Sequence, residues 1–208
     1  MYFMVDNYDS FVYNLAAYMV ENGQSVLVRR ADLISFDEIK KLDLEGIIIS
    51  PGPKRPQDAA VSIKILKIYQ GIVPILGVCL GHQIVGQFYG ANVCRGIVPC
   101  HGKITQIENN SSGIFTGLPV KYSVTRYHSL IVSEKGFPNS LSITARSNSD
   151  GVIMGLEHKK LPVYGVQFHP EAVLTEYGHE LLLNFHNICK KWTEFKNKEE
   201  FNALYKET

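Results

Sequence analysis

Few cysteines, almost no net charge and no long apolar run remove several function classes from this chain before any motif is read. The four cysteines, Cys79, Cys94, Cys100 and Cys189, are spaced too widely and irregularly for a zinc knuckle or a secreted disulfide framework. A formal net charge of +1 over 208 residues gives no electrostatic reason to expect nucleic acid or an anionic membrane as partner. No apolar stretch reaches the length of a membrane span. The start, Met1-Tyr2-Phe3-Met4-Val5-Asp6, has neither the basic residues nor the long apolar core of an export signal and reads as a first strand. Reduced thiols in a cytoplasmic protein are therefore expected. Repeats, low-complexity tracts and an interdomain linker are also missing, so one large core is expected.

Patterning fills in the architecture. After strand Tyr2–Val5, Ser10 is placed to cap a helix with Phe11, Leu15, Tyr18 and Met19 on its buried face. Ser25–Val28 reads as a strand, and Ser35-Phe36-Asp37-Glu38 as a capping box. The continuous run Gly46–Ser50 suits a central strand covered on both faces. A helix over 58–69 follows, burying Val61, Ile65, Leu66 and Ile68, and then a strand that ends at Cys79. This order predicts an α/β fold with a mostly parallel, flavodoxin-like sheet flanked by helices, and a site at the strands' carboxyl ends. From Asn92 to Gln167 short strands dominate: Lys103–Ile107, Tyr122–Thr125, Leu141–Ala145, Val152–Leu156 and Val163–Gln167. Turn signals such as Asp150-Gly151 make these an additional small antiparallel sheet. Leu174–Lys190 reads as the closing helix. The domain is set at residues 1–190, with 191–208 a peripheral helix or tail.

The segment Leu76-Gly77-Val78-Cys79-Leu80-Gly81-His82-Gln83 carries the chemistry. An apolar strand delivers a cysteine between two glycines onto the start of a helix, an elbow that exposes a nucleophile beside free N–H groups. Taken alone, Cys79 also fits a small buried hydrophobe; Cys94 and Cys189 read as packing residues and Cys100 as a strand residue. A thiol nucleophile needs a base and a group to orient that base. Of seven histidines, His158, His179 and His186 fit the surface, and His82 follows the elbow but points away along the helix. His101 and His128 stay open. His169 stands out: it ends a strand, Pro170 stiffens the turn, and Glu171 can reach back to fix its tautomer. Lowering a thiol pKa from ~8.5 to about 7 needs roughly 2 kcal/mol. A helix N-terminus supplies ~0.3–1 kcal/mol of it, and an imidazolium partner the rest.

Gly77-Val78-Cys79-Leu80-Gly81-His82-Gln83 and Gly165-Val166-Gln167-Phe168-His169-Pro170-Glu171 together resemble the class I glutamine amidotransferases. Asp6-Asn7-Tyr8-Asp9-Ser10-Phe11, Ser50-Pro51-Gly52-Pro53, His101-Gly102-Lys103 and Arg126-Tyr127-His128-Ser129-Leu130 are similar to the branch that serves anthranilate synthase and aminodeoxychorismate synthase as component II. The resemblance implies a glutaminase. Cys79 would attack the side-chain amide of L-glutamine, His169 would shuttle protons, and Glu171 would orient it. Backbone N–H groups of Gly52 and Leu80 would hold the oxyanion, with Pro53 in the same loop. Gln83, Ser129 and Leu130 would hold the α-amino and α-carboxyl ends; by their own context they fit an exposed helix residue and a turn. Ammonia would pass to a chorismate-binding synthase subunit, component I, in the tryptophan or folate branch or both. No room is left here for a chorismate domain.

No cofactor or metal is expected in this chain: Asp6 and Asp9 fit a turn and a helix cap, and Mg²⁺, if used, would sit in the synthase. Three departures from the family pattern stand out. Lys54 occupies the last glycine position of Pro-Gly-Pro-Gly, where positive φ would cost about 1–2 kcal/mol. Ala172 replaces the serine after His-Pro-Glu, and Val12 a threonine. Two other readings remain: the same chemistry for another acceptor, such as a nucleotide or carbamoyl-phosphate synthase, and a non-catalytic regulatory relative.

Overall fold

A computed structural model describes residues 1–204. Five strands, β1 (Tyr2–Asp6), β2 (Val26–Arg30), β3 (Gly46–Ile49), β4 (Ile75–Val78) and β11 (Val163–Val166), run parallel in the order β2-β1-β3-β4-β11. Helices α1 (Val12–Glu21), α2 (Phe36–Ile39), α3 (Ala60–Tyr69) and α4 (Leu80–Phe88) connect the first four strands and lead out of β4. The same sheet then continues antiparallel through β10 (Ile153–His158), β9 (Leu141–Ser147), β6 (Lys103–Asn109) and β7 (Lys121–Arg126). The small separate antiparallel sheet is a pair, β5 (Val93–Arg95) with β8 (Leu130–Val132). Most of the later strands thus extend the main sheet instead of forming a second one.

Period-two alternation explains the layering. Tyr2, Met4, Ile48, Leu76 and Val78 face one core with Leu15 and Met19 of α1 and with Leu181 and Phe185 of the closing helix. Phe3, Val5, Ile47, Ile49 and Ile75 face the other, with Ile65 and Leu66 of α3 and Ile84 and Val85 of α4. Strands buried on both sides must be apolar throughout, which is why β3 is Gly-Ile-Ile-Ile. In β6, by contrast, exposed and buried residues alternate, as for a sheet with one wet face.

Some details differ from the sequence reading. Ser10 does not cap α1; the helix begins at Val12, Asp9 Oδ1 accepts from the Phe11 N–H at 2.7 Å, and Phe11 lies at the surface. Residues 171–177 form turns, so the closing helix α5 (Gly178–Leu204) starts four residues later than expected and runs unbroken past residue 190. Cys94 is exposed on β5, and Cys100 is buried in the loop that follows it, not in a strand. No helix among the described residues is long and apolar enough to cross a membrane.

Candidate active site

The elbow is real, and its glycines work differently from the sequence argument. Cys79 itself adopts positive φ (52°) between β4 and α4, whereas Gly77 and Gly81 do not. The two glycines are needed for close approach: a β-carbon on Gly81 would fall on the Ile49 carbonyl, and one on Gly77 on the Gly81 backbone. Helix α4 is thereby pressed against β3 and β4, and the strain is concentrated at Cys79. The Cys79 N–H donates to the Val166 carbonyl at 2.8 Å, which locks the elbow to β11.

That lock brings the second motif alongside. In the β4–β11 register Val78 pairs with Val166, so Gln167 emerges beside Cys79 and His169 two residues further on. The His169 N–H donates to Thr125 O at 3.1 Å. Thr175 Oγ1 donates to His169 O at 2.7 Å and accepts from the Thr125 N–H at 2.9 Å. The His-Pro-Glu turn is thus latched to β7. His169 Nδ1 and Glu171 Oε1 lie 2.7 Å apart, and both side chains are buried. With Nδ1 engaged, Nε2 is the nitrogen left for Cys79; it has no partner at strict hydrogen-bond geometry, a looseness usual before substrate binds. Burial alone would lower the imidazole pKa. The Cys79 sulfur and then Glu171 overcome it and hold His169 well above its ordinary value. Tyr127 and Phe11 stand edge-on over this ring, at centroid distances of 5.1 and 6.0 Å.

Cys79 opens into a cavity of about 420 Å³, a volume suited to a small metabolite. Gly52, Pro53, Leu80, Gln83, Ser129 and Leu130 all line it, while His169 and Glu171 sit behind the sulfur and out of the wall. Gln83 is buried, not an exposed helix residue; its Nε2 donates to Leu130 O (3.0 Å) and to Gln167 Oε1 (3.1 Å). Gly52 packs so closely that an added β-carbon would stand 2.7 Å from Leu80 Cδ2 and 2.8 Å from Asn7 O. Asn7 in turn holds the loop through Ser50 and Ser62. Lys54 avoids positive φ, so the feared strain in this loop is absent. The Asp6 carboxylate accepts from the Tyr8 and Asp9 N–H groups, which gives it a turn role.

The remaining histidines sort out by geometry. His128 is buried: Arg126 Nε donates to its Nε2, so its Nδ1–H donates to Leu130 O at 2.9 Å. Burial and then the Arg126 guanidinium push its pKa down to about 4, leaving a neutral wall residue. His82 is sealed beneath the elbow, and burial takes its pKa to about 3. His101 is exposed and edge-on to Tyr127. His158 is partly buried, with Nδ1 accepting from the Lys160 and Leu161 N–H groups. Sequence reasoning missed Gln167, the Arg126–Asp150 ion pair (2.9 Å) that steadies the wall, and Arg95, which joins Lys54 and Arg55 at the cavity. Only the strand register could have pointed to Gln167.

A cysteine on a strand-to-helix elbow, a buried histidine–carboxylate pair and a pocket thus meet at one edge of the parallel sheet. The family model for class-I glutamine amidotransferases matches residues 3–188, and the chain belongs to that family. It is 44% identical over 191 residues to the aminodeoxychorismate/anthranilate synthase component 2 of Bacillus subtilis, covering 92% of this chain and 98% of that one. It is 48% identical over 209 residues to the bifunctional protein TrpGD of Thermotoga maritima; the match takes in 98% of this chain and spans 35% of that longer protein. The crystal structure of a Thermoplasma acidophilum protein, provisionally described as one subunit of a GMP synthase, superposes with a TM-score of 0.84 at 27% identity, over 94% of this chain and 96% of that one.

Proposed function

We propose that the chain is the glutaminase component of a chorismate-using synthase, anthranilate synthase or aminodeoxychorismate synthase, and that Cys79, His169 and Glu171 are its catalytic triad. The carrying observation is the buried His169–Glu171 pair beside a strained cysteine that opens into the cavity. Sulfur attacks the side-chain amide carbon of glutamine, and His169 passes its proton to the departing ammonia. A thioester remains for water to hydrolyse, with His169 now acting as base. Glu171 keeps the imidazole in the productive tautomer. Backbone N–H groups of Gly52 and Leu80 face the developing oxyanion; Leu80 opens α4, where N–H groups lack intrahelical acceptors. Gln83 and the Ser129-Leu130 segment hold the amino-acid end of the substrate, beside Pro53.

Free ammonia would be protonated in neutral water and lost as a nucleophile, so a docked acceptor enzyme is required. Support for docking comes from apolar side chains at the strands' carboxyl edge: Val173 is 90% exposed, Leu174 59% and Tyr8 48%. The component 2 name of the Bacillus relative, at 44% identity, favours chorismate as the acceptor's substrate over a nucleotide, whose supporting likeness is 27% identical. The test is ammonia release from glutamine by the purified chain, alone and with a component I synthase plus chorismate. Weak activity that rises on adding both supports the reading. Full activity indifferent to the synthase, or activation only by a nucleotide-using synthetase, would overturn it.

A further inference from the structure

Behind the nucleophile runs a chain of side-chain amides that glutamine hydrolysis as described above does not use. Gln167 is wholly buried at the end of β11, and its Nε2 lies 3.7 Å from Cys79 Sγ as a donor to the sulfur. Its Oε1 accepts from Gln83 Nε2, and the same Gln83 nitrogen donates to Leu130 O, which also receives the His128 Nδ1–H. Donor and acceptor matching fixes both amides. Turning Gln83 over would set its oxygen against two acceptors, Leu130 O and Gln167 Oε1. Turning Gln167 over would set its NH₂ against the Gln83 NH₂ and aim a carbonyl oxygen at the sulfur. The imidazole at the far end is fixed as well, since Arg126 can only donate to it. A buried N–H is therefore held pointing at Cys79 by contacts that lead back to the cavity wall.

We infer that Gln167 is a positioning residue that donates a hydrogen bond to the Cys79 thiolate and ties the ionisation of that sulfur to the glutamine-holding wall through Gln83 and Leu130. Hydrogen bonding to the charged form of an acid favours that form, and the low local dielectric around a wholly buried amide strengthens such a bond. Other titratable groups near the pair are Glu171, on the far side of the imidazole, Asp9, whose carboxyl senses both His169 and Glu171, and Lys54, Arg55, Asp58 and Arg95 on the cavity wall. His128 senses His169 as well, and it stays neutral above about pH 4. None of these offers a neutral donor to the sulfur. The inference rests on the glutaminase reading for its consequence, not for the contact itself.

The test is the pH dependence of Cys79 alkylation by iodoacetamide, followed by mass spectrometry of the Cys79 peptide in a Cys94→Ser background that removes the exposed thiol. Gln167→Glu keeps the oxygen that Gln83 needs and replaces the donor with a second oxygen facing the sulfur. Gln167→Leu removes both ends. Each should move the alkylation midpoint upward by about one unit, so that alkylation at a pH well below the midpoint slows about ten-fold. In both, kcat for glutamine should fall with the same shift in its pH profile, while KM changes by less than about three-fold. Unchanged midpoints in two variants that melt like the wild type would overturn the inference. A measurement on the unaltered protein does not depend on how the variants fold. The Gln167 side-chain amide protons, observed by NMR, should shift with the same midpoint as Cys79 alkylation. A flat amide signal would overturn the contact directly. Alkylation and the amide signal need no glutamine, so a wild type inert toward glutamine would count against the glutaminase reading while leaving the contact measurable.

Discussion

The two halves of the sheet are built on opposite principles. The parallel half, β2-β1-β3-β4-β11, is covered on both faces, and its central strands are apolar almost without interruption. Its loops at the carboxyl edge carry Asn7, Gly52, Cys79 and His169. The antiparallel half has a wet face at β6 and places buried polar groups, Thr125, Arg126, Thr144 and Ser147, where the first half has isoleucine and valine. It carries the neutral imidazole of His128 and the Thr125 end of the latch. The parallel half thus presents Cys79, and the antiparallel half holds the wall against it. Chemistry should be lost by damage to the first, and alignment and pH tolerance by damage to the second.

That division can be broken at several points, with effects that shrink in order. Cys79→Ser should reduce ammonia release from glutamine by on the order of 10⁴-fold with little change in thermal midpoint, because only the sulfur proposed to react is altered; an ammonia assay beside a melting curve checks this. Next comes acid sensitivity. His82 and His128 are held neutral in the fold, with pKa values near about 3 and about 4, whereas unfolded histidines take up protons near ~6.5. Below that pH the unfolded state binds more protons, so stability falls as pH drops from 6.5 toward 4. At ~1.4 kcal/mol per unit for each residue, about 4 kcal/mol should vanish between pH 7 and pH 5 in urea titrations. His82→Leu should remove about half of that slope, since neither ring nitrogen has a hydrogen-bond partner in the fold.

His169 acts in the opposite sense. Its pKa is raised, so its contribution is complete below about 6.5 and fades as pH climbs through its folded value. The same titrations should show an alkaline decline that Glu171→Gln weakens. Gly81→Ala tests the parallel half without touching a reacting group. The added methyl meets the Ile49 carbonyl, and a cost of about 3 kcal/mol is expected in the unfolding free energy, at the upper end for overpacking. The smallest effect belongs to the latch. Thr175→Val keeps the volume but strands His169 O and the Thr125 N–H, which should cost about 1–2 kcal/mol and lower kcat about ten-fold with KM little changed. A larger change in KM than in kcat would mean that the turn holds substrate instead of the imidazole.

Much of this was visible in the residues. Gly46-Ile47-Ile48-Ile49 could only be a doubly covered strand, and the apolar run into Gly77-Val78-Cys79 could only deliver its cysteine at a strand's carboxyl end. His169-Pro170-Glu171 carried its own local logic, because a carboxylate two residues away can reach an imidazole whatever the rest of the chain does. Helix ends were less legible: Asp9, one position before Ser10, won the contact with Phe11, and the Thr175 latch held 171–177 in turns that the apolar residues alone did not reveal. Gln83 and His128 looked ordinary because their meaning lies in partners 47 residues away at Leu130 and two away at Arg126 and Leu130, respectively.

What the sequence determined by itself was the set of layers, the elbow and the histidine–carboxylate pair, since alternation, turn chemistry and short-range reach act over a few residues. The tertiary structure alone decided that β11 lies against β4 with Val166 opposite Val78, and hence that Gln167 and His169 meet Cys79. It also decided which histidines stay neutral. Register between residues 88 apart in the chain is set by packing of the whole sheet, and burial by what every other element covers, so neither is written in any local stretch of the chain.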